Sequence, residues 1–212
     1  MTDNPEDDAE LLGRLGEGDA GAARELYQRY GAALLRFGIA MTSSRQMAED
    51  IVHDTFVELL RNPASFNPAQ GTVGAWLYGI ARHRLARLLR ANPLATAVGD
   101  AEMQQDEQEA AASLPSAEEE IDRVQLIERV RKAILDLPLA HREIIALCEL
   151  EELPYATVAM ILDCPIGTVR SRLHRARALL AIRLGSKSDA HNPSEEHETP
   201  LPVGRAPCET AT

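Results

Sequence analysis

The sequence predicts an all-α protein of two helical domains joined by a flexible acidic linker. Three observations carry that reading. Apolar residues recur at the 3.6-residue spacing of amphipathic helices, capping residues and Pro or Asn stops punctuate those stretches, and residues 92–116 hold neither an apolar stripe nor a basic residue.

In chain order, residues 1–18 form an acidic N-terminal segment in which Leu11, Leu12 and Leu15 suggest a short helix. From Asp19, an N-cap residue type, the stripe Ala23, Leu26, Tyr27, Tyr30, Leu34, Phe37 and Met41 defines a longer one. Ser43 with Gln46 reads as a capping box opening a second helix, whose buried stripe is Ala48, Ile51, Val52, Thr55, Phe56, Leu59 and Leu60, and which Asn62-Pro63 stops. Residues 62–71, rich in Pro, Asn, Gln and Gly, are a loop. A third helix then buries Val73, Trp76 or Leu77, Ile80, Leu85 and Leu88 and becomes strongly cationic toward its end, where Arg82, His83, Arg84, Arg87 and Arg90 crowd its surface.

The first domain is thus 19–91, the linker 92–116, and the second domain 117–184. Ser116 with Glu119 caps a helix whose apolar positions are Ile121, Val124, Ile127, Val130 and Ile134, and Leu137-Pro138 interrupts it. Helical stretches over 139–150, 155–162 and 166–184 follow, separated by Pro154 and by Asp163-Cys164-Pro165. Residues 185–212 have almost no large apolar side chain and read as a disordered tail.

The formal net charge of −11 argues against a general nucleic-acid binder, but the charge is unevenly distributed. Acidic residues crowd the N-terminus and the region from Asp100 to Asp122, leaving two nearly pure basic stretches, Arg82 to Arg90 and Arg170 to Arg183. No run is long and apolar enough to span a membrane, and the acidic N-terminus lacks a signal peptide's basic start, so a cytoplasmic location is expected. Cys148, Cys164 and Cys208 form neither a CxxC pair nor an even set, which excludes a disulfide framework and a zinc finger; Cys148 and Cys164 read as core thiols. A phosphate-binding glycine loop, an HExxH pair and a nucleophile elbow are all missing, so no enzymatic activity, cofactor or metal is expected.

Residues 154–180 have the dimensions of a helix-turn-helix. At about 100° per residue, Val169, Leu173, Ala176 and Leu180 fall on one side of its second helix, and Thr168, Ser171, His174 and Arg175 on the other, flanked by Arg170, Arg172 and Arg177. Hydrogen-bonding groups between cations suit a major groove between phosphate walls; an arginine-rich helix taken alone reads equally as a solvated face. In the first domain Asp50, Asp54 and Glu58 recur every fourth residue beside His53, an exposed acidic face or one that awaits a basic partner. Phe66 and Trp76 stand beside amides and lead into the cationic helix end, a combination suited to unstacked single-stranded bases, although Trp76 also lies on its helix's apolar side and reads equally as core.

The segments AEDIVHDTFVELL (48–60), VGAWLYGIARHRLARLLR (73–90) and LPYATVAMILDCPIGTVRSRLHRARALL (153–180) resemble the extracytoplasmic-function sigma factors of bacterial RNA polymerase, group 4 of the sigma-70 family, and the resemblance spans residues 19–184. It implies sigma region 2 and region 4 domains that bind core polymerase and direct it to promoters under a stress or envelope signal. Asp50, His53, Asp54 and Glu58 would then meet the clamp helices of the largest subunit, and the second domain the flap region. Ser65, Phe66, Asn67, Trp76, Arg82, His83, Arg84, Arg87 and Arg90 would capture and melt the minus-ten element. Thr168, Arg170, Ser171, Arg172, His174, Arg175 and Arg177 would read the minus-thirty-five duplex. An anti-sigma partner is a further expectation. The chain departs from the family pattern at His83 and Ala86, where Asn and Asp are common, which bears on the preferred minus-ten sequence. A stand-alone helix-turn-helix regulator of operator DNA is the alternative; it leaves the first domain without a task.

Overall fold

The computed structural model describes residues 5–91 and 117–185; the expected linker with its Ser116 cap, and the tail beyond Gly185, lie outside the described residues. Among the described residues all regular structure is helical: α1 (Pro5–Gly16), α2 (Ala20–Thr42), α3 (Arg45–Arg61), α4 (Val73–Ala91), α5 (Ala117–Leu135), α6 (Leu139–Ile145), α7 (Tyr155–Ile161) and α8 (Ile166–Gly185). The loop between α3 and α4 contains two single 3-10 turns, Pro63–Ser65 and Pro68–Gln70, and α6 runs on as a π-helical turn, Ala146–Leu150.

The helix starts follow local chemistry. The Asp19 carboxylate accepts from Gly21 N at 2.7 Å at the head of α2, and is itself held by Arg14. At the next junction the expected capping box is displaced by one residue: Ser44, not Ser43, caps α3 by accepting from Met47 N, while Ser43 adopts a left-handed conformation (φ 56°) that ends α2. A two-residue connection needs both devices, one to stop a helix and one to start the next.

α2 packs along α3, α1 lies on α2, and α4 packs across α3 and α2. The acidic N-terminal segment therefore contributes to the first unit: Leu11, Leu12 and Leu15 are buried, and the buried Asp8 carboxylate accepts hydrogen bonds from Arg29 and the Tyr30 hydroxyl. α4 buries Val73, Leu77, Tyr78, Ala81 and Leu85; Trp76, Ile80 and Leu88 sit at the edge of the core. In the second unit α8 packs on α5, α6 and α7. Its buried residues Val169, Leu173 and Ala176 hold the expected period.

Four positions on the expected apolar stripes are surface positions, Tyr27 of α2 among them at 54% exposed. Leu60 is 53% exposed because Leu59 takes the buried side of the same turn of α3; Val124 and Ile127 are also exposed, and α5 buries Ala133 and Ile134 nearer its C-terminus. Cys148 and Cys164 are half-buried at the core edge, and burial pushes the Cys148 thiol up to about 11.

The two units pack against each other through α2 with α5, α6 and the π-helical turn, and through α4 with α7. The buried Arg142 donates to the Met41 carbonyl at the end of α2 at 2.8 Å, and also to Leu135 and Leu137 carbonyls at the end of α5, so one guanidinium serves two helix C-termini.

α2 and α3 approach closely at Gly38, where a Cβ would stand 2.8 Å from the Ala48 Cβ and 3.0 Å from its Cα. Gly38→Ala is expected to destabilise the chain by about 2 kcal/mol through this overlap, read by chemical denaturation. An unchanged unfolding midpoint would contradict the tight α2–α3 contact.

Candidate nucleic-acid interface

In the first unit the loop after α3 folds back over the start of α4. Asn67 accepts from Ala69 N at 3.0 Å and so shapes the second 3-10 turn, and Ser65 donates to the Asn62 carbonyl at 2.7 Å. Thr72 caps α4 by accepting from Ala75 N. Phe66 then meets Trp76 with ring centroids 5.6 Å apart and planes tilted by 52°. Both readings of Trp76 meet at this position: it packs on the core edge and also lines a cleft of about 430 Å³ with Ser65, Phe66, Asn67, Arg82 and His83. Aromatic faces, amides and cations are therefore gathered in one concavity, which is what stacking and tracking a single strand requires.

The helix end divides by role. His83, Arg87 and Arg90 are exposed. Arg84 is turned inward and donates to Glu58 at 2.9 Å. Glu58 also accepts from Asn62, so the carboxylate expected to complete the acidic face of α3 instead ties α3, the loop and α4 together. Arg82 donates to Glu143 of the second unit at 3.0 Å. Asp50, His53 and Asp54 remain exposed along α3, an open acidic face.

In the second unit Pro154 precedes α7, and the turn Leu162 to Pro165 places Asp163 in the left-handed region (φ 48°), a conformation Asp tolerates better than most residues. α8 leaves that turn with Arg170, Ser171, His174 and Arg175 exposed and Thr168 and Arg172 half-buried. The Ser171 hydroxyl donates to the Thr168 carbonyl at 3.1 Å. Arg177 donates to Glu149 at 2.6 and 3.1 Å, and that hydrogen bond is the main cause raising its pKa. The cleft's other wall was missed in the sequence: Met160, Ile161 and Asp163 of the helix-turn-helix close it from across the chain.

A helical unit with a cleft lined by aromatic, amide and cationic side chains, followed by a helix-turn-helix unit with an outward cationic face, defines a helical DNA-binding protein. Two family models match in that order, Sigma-70 region 2 over residues 26–93 and Sigma-70, region 4 over residues 127–180. The RNA polymerase sigma-H factor of Pseudomonas aeruginosa is 30% identical over 81% of this chain and 91% of its own length. The ECF RNA polymerase sigma-E factor of Haemophilus influenzae is 30% identical over 84% and 95%. Among solved structures, the sigma factor RpoE of Bartonella quintana, in complex with the anti-sigma factor NepR, is 27% identical with a TM-score of 0.55 over 77% of this chain and 99% of that one. CnrH in complex with the cytosolic domain of CnrY shares the fold, with 23% identity and a TM-score of 0.64 over 85% and 98%. The chain belongs to the sigma-70 family of RNA polymerase sigma factors, in its extracytoplasmic-function group.

Because Glu58 is committed to Arg84, Glu58→Gln is expected to cost about 0.5 to 1 kcal/mol of folding stability while changing affinity for core polymerase by less than about twofold. Denaturation and a titration with core polymerase check the pair; a selective loss of polymerase affinity would return Glu58 to the docking face.

Proposed function

We propose that the exposed acidic face of α3, with Asp50, His53 and Asp54 at its centre, docks on the clamp helices of the largest polymerase subunit, and that the second unit meets the flap region. The cleft around Phe66 and Trp76 receives unstacked bases of the minus-ten element, and the exposed side chains of His83, Arg87 and Arg90 follow its backbone. α8 enters the major groove at the minus-thirty-five element with Arg170, Ser171, His174 and Arg175 foremost and Thr168, Arg172 and Arg177 at its margins. The observation that carries this reading is the presence on one chain of both an aromatic-lined cleft and a helix-turn-helix with an exposed polar and cationic face, suited to the melted strand and the duplex that initiation engages together. An operator-binding regulator would use only the second.

No catalytic step is assigned to the protein; it acts by positioning, in the cytoplasm where polymerase and promoter are. No helix among the described residues is long and apolar enough to cross a membrane. Release under a stress or envelope signal from an anti-sigma partner completes the reading. The RpoE neighbour is bound to an anti-sigma factor, and this chain has an open apolar groove of about 440 Å³ between α2 and α5, floored by Ile39, Leu126, Ile127, Val130 and Leu150 and rimmed by Arg36 and Arg131. An amphipathic helix with acidic flanks fits that surface.

Core polymerase lacking any sigma subunit, supplied with this chain, is expected to initiate at specific promoters. Asp54→Arg is expected to abolish polymerase binding with the fold intact. Arg175→Ala is expected to spare polymerase binding and weaken promoter discrimination by about 1 to 3 kcal/mol in competition footprinting. Equal loss of polymerase binding in both variants would contradict the division of labour.

A further inference from the structure

A strongly acidic chain leaves one apolar groove open to water. The groove between α2 and α5 is floored by Ile39, Leu126, Ile127, Val130 and Leu150, and Leu126, Ile127 and Leu150 are exposed in it. Large apolar side chains gathered in a concavity mark a surface that another segment covers. Arg36 and Arg131 stand at its rim. Arg36 is 60% exposed although it already holds Glu151, and a guanidinium carries five N–H donors, so the rim can take further carboxylates. The matching occupant has large aliphatic side chains next to acidic ones.

The chain carries such a segment beyond α8. Within residues 186–212 the only large aliphatic side chains are Leu201 and Val203, and Glu195, Glu196 and Glu198 lie just before them. Pro200 and Pro202 flank Leu201 and reduce the entropy lost when this stretch is ordered. Its point of departure is also suitable. Arg183, near the end of α8, donates to the Asp136 carbonyl just past α5 at 3.0 Å, so the chain leaves Gly185 beside the C-terminal end of α5. The groove runs from there along α5, from Ile134 to Leu126, a distance of about 12 Å at the helical rise. The stretch from Gly185 to Leu201 reaches up to about 50 Å when extended, which covers that distance with slack. We propose that segment 195–203 occupies this groove, with Leu201 and Val203 on its floor and the glutamates at Arg36 and Arg131. A second copy of the chain is a poorer occupant, because two molecules of net charge −11 repel each other. The tethered segment, by contrast, is present at an effective concentration on the order of mM. This occupancy does not depend on an anti-sigma partner; a helix arriving at the same groove has to displace the tail first.

The probe is a nitroxide on Cys208, which lies within about 17 Å of Val203 however the chain between them runs. It is attached to the full-length chain carrying Cys148→Ser and Cys164→Ser, and read through broadening of the methyl signals of Ile39, Leu126, Ile127 and Leu150. These methyls are expected to broaden more than those inside the two cores, and to the same degree on dilution. Leu201→Asp with Val203→Asp in the tail, or Leu126→Glu at an exposed position of the groove, is expected to lower the occupancy constant at least about tenfold and so to restore the signals, with helix content by circular dichroism unchanged. In the unlabelled chain with its native cysteines the same methyls are expected to shift when the Leu201→Asp, Val203→Asp pair is introduced. Sharp groove methyls in the labelled chain, or broadening that survives both sets of substitutions, would overturn the proposal and leave the groove to a separate partner. Broadening passed to an isotope-labelled chain from a second, spin-labelled one would also overturn it, in favour of pairing between copies.

Discussion

A carboxylate taken out of water must be answered by a cation or by hydrogen-bond donors, and Glu151 is such a carboxylate at the junction of the two units. Burial pushes its pKa upward, against the pull of Arg36 and Tyr78, which favour the charged form. The answer comes from α2 and α4 of the other unit, so satisfying this one group fixes the turn after α6 against the first domain. Arg142 makes the complementary demand. Its buried guanidinium, with a pKa lowered by desolvation, donates through its two terminal nitrogens to carbonyls at the ends of α2 and α5, while its Nε is left without a partner among the described residues. Together these two side chains tie the second unit to α2 and α4 of the first, beside the contacts of α4 with α7.

Such an interface is a specification more than a source of stability. A buried ion pair gives back in desolvation much of what it gains in attraction, and the net stabilisation is small compared with the apolar cores inside each unit. That balance suits a protein whose halves must address two promoter elements at once. It also bears on the charge pattern: a chain with a net charge of −11 carries two cationic surfaces, and one member of each is ion-paired internally, Arg82 with Glu143 across the two units and Arg177 with Glu149 within the second. Discrimination against adventitious DNA then comes from the overall acidity and from the geometry together.

Much of the architecture is legible in the sequence because it is local. Periodicity, caps and proline stops delimit α2, α3, α4 and α8, and the register of α8 separates Val169, Leu173 and Ala176 from Ser171, His174 and Arg175 without knowledge of anything else in the molecule. The errors arise where a residue's fate depends on distant chain. Ser43 and Ser44 are both plausible caps, and only the left-handed stop of α2 decides between them. Tyr27, Leu60, Val124 and Ile127 follow the helical period yet are exposed, because which part of a stripe is covered depends on the neighbours and not on the spacing. Glu58 and Arg84, 26 positions apart, are held to each other, a pairing that spacing does not foretell. The partners of Arg36 and Arg82 lie 115 and 61 positions away, and no spacing rule connects them. Of the candidate site, the loop, its aromatic pair and the cationic helix ends were therefore readable, whereas the wall supplied by Met160 and Asp163 was not.

The two units pack side by side in the free chain, and reading two separated promoter elements on polymerase would part them. The most direct measurement is the distance between α4 and α7, by single-molecule energy transfer between dyes placed on the exposed positions Arg87 and Ala156, in the free chain and after addition of core polymerase. A single high-transfer population in the free chain that converts to low transfer on binding polymerase is the expected result. The same transfer efficiency in both states would contradict the account.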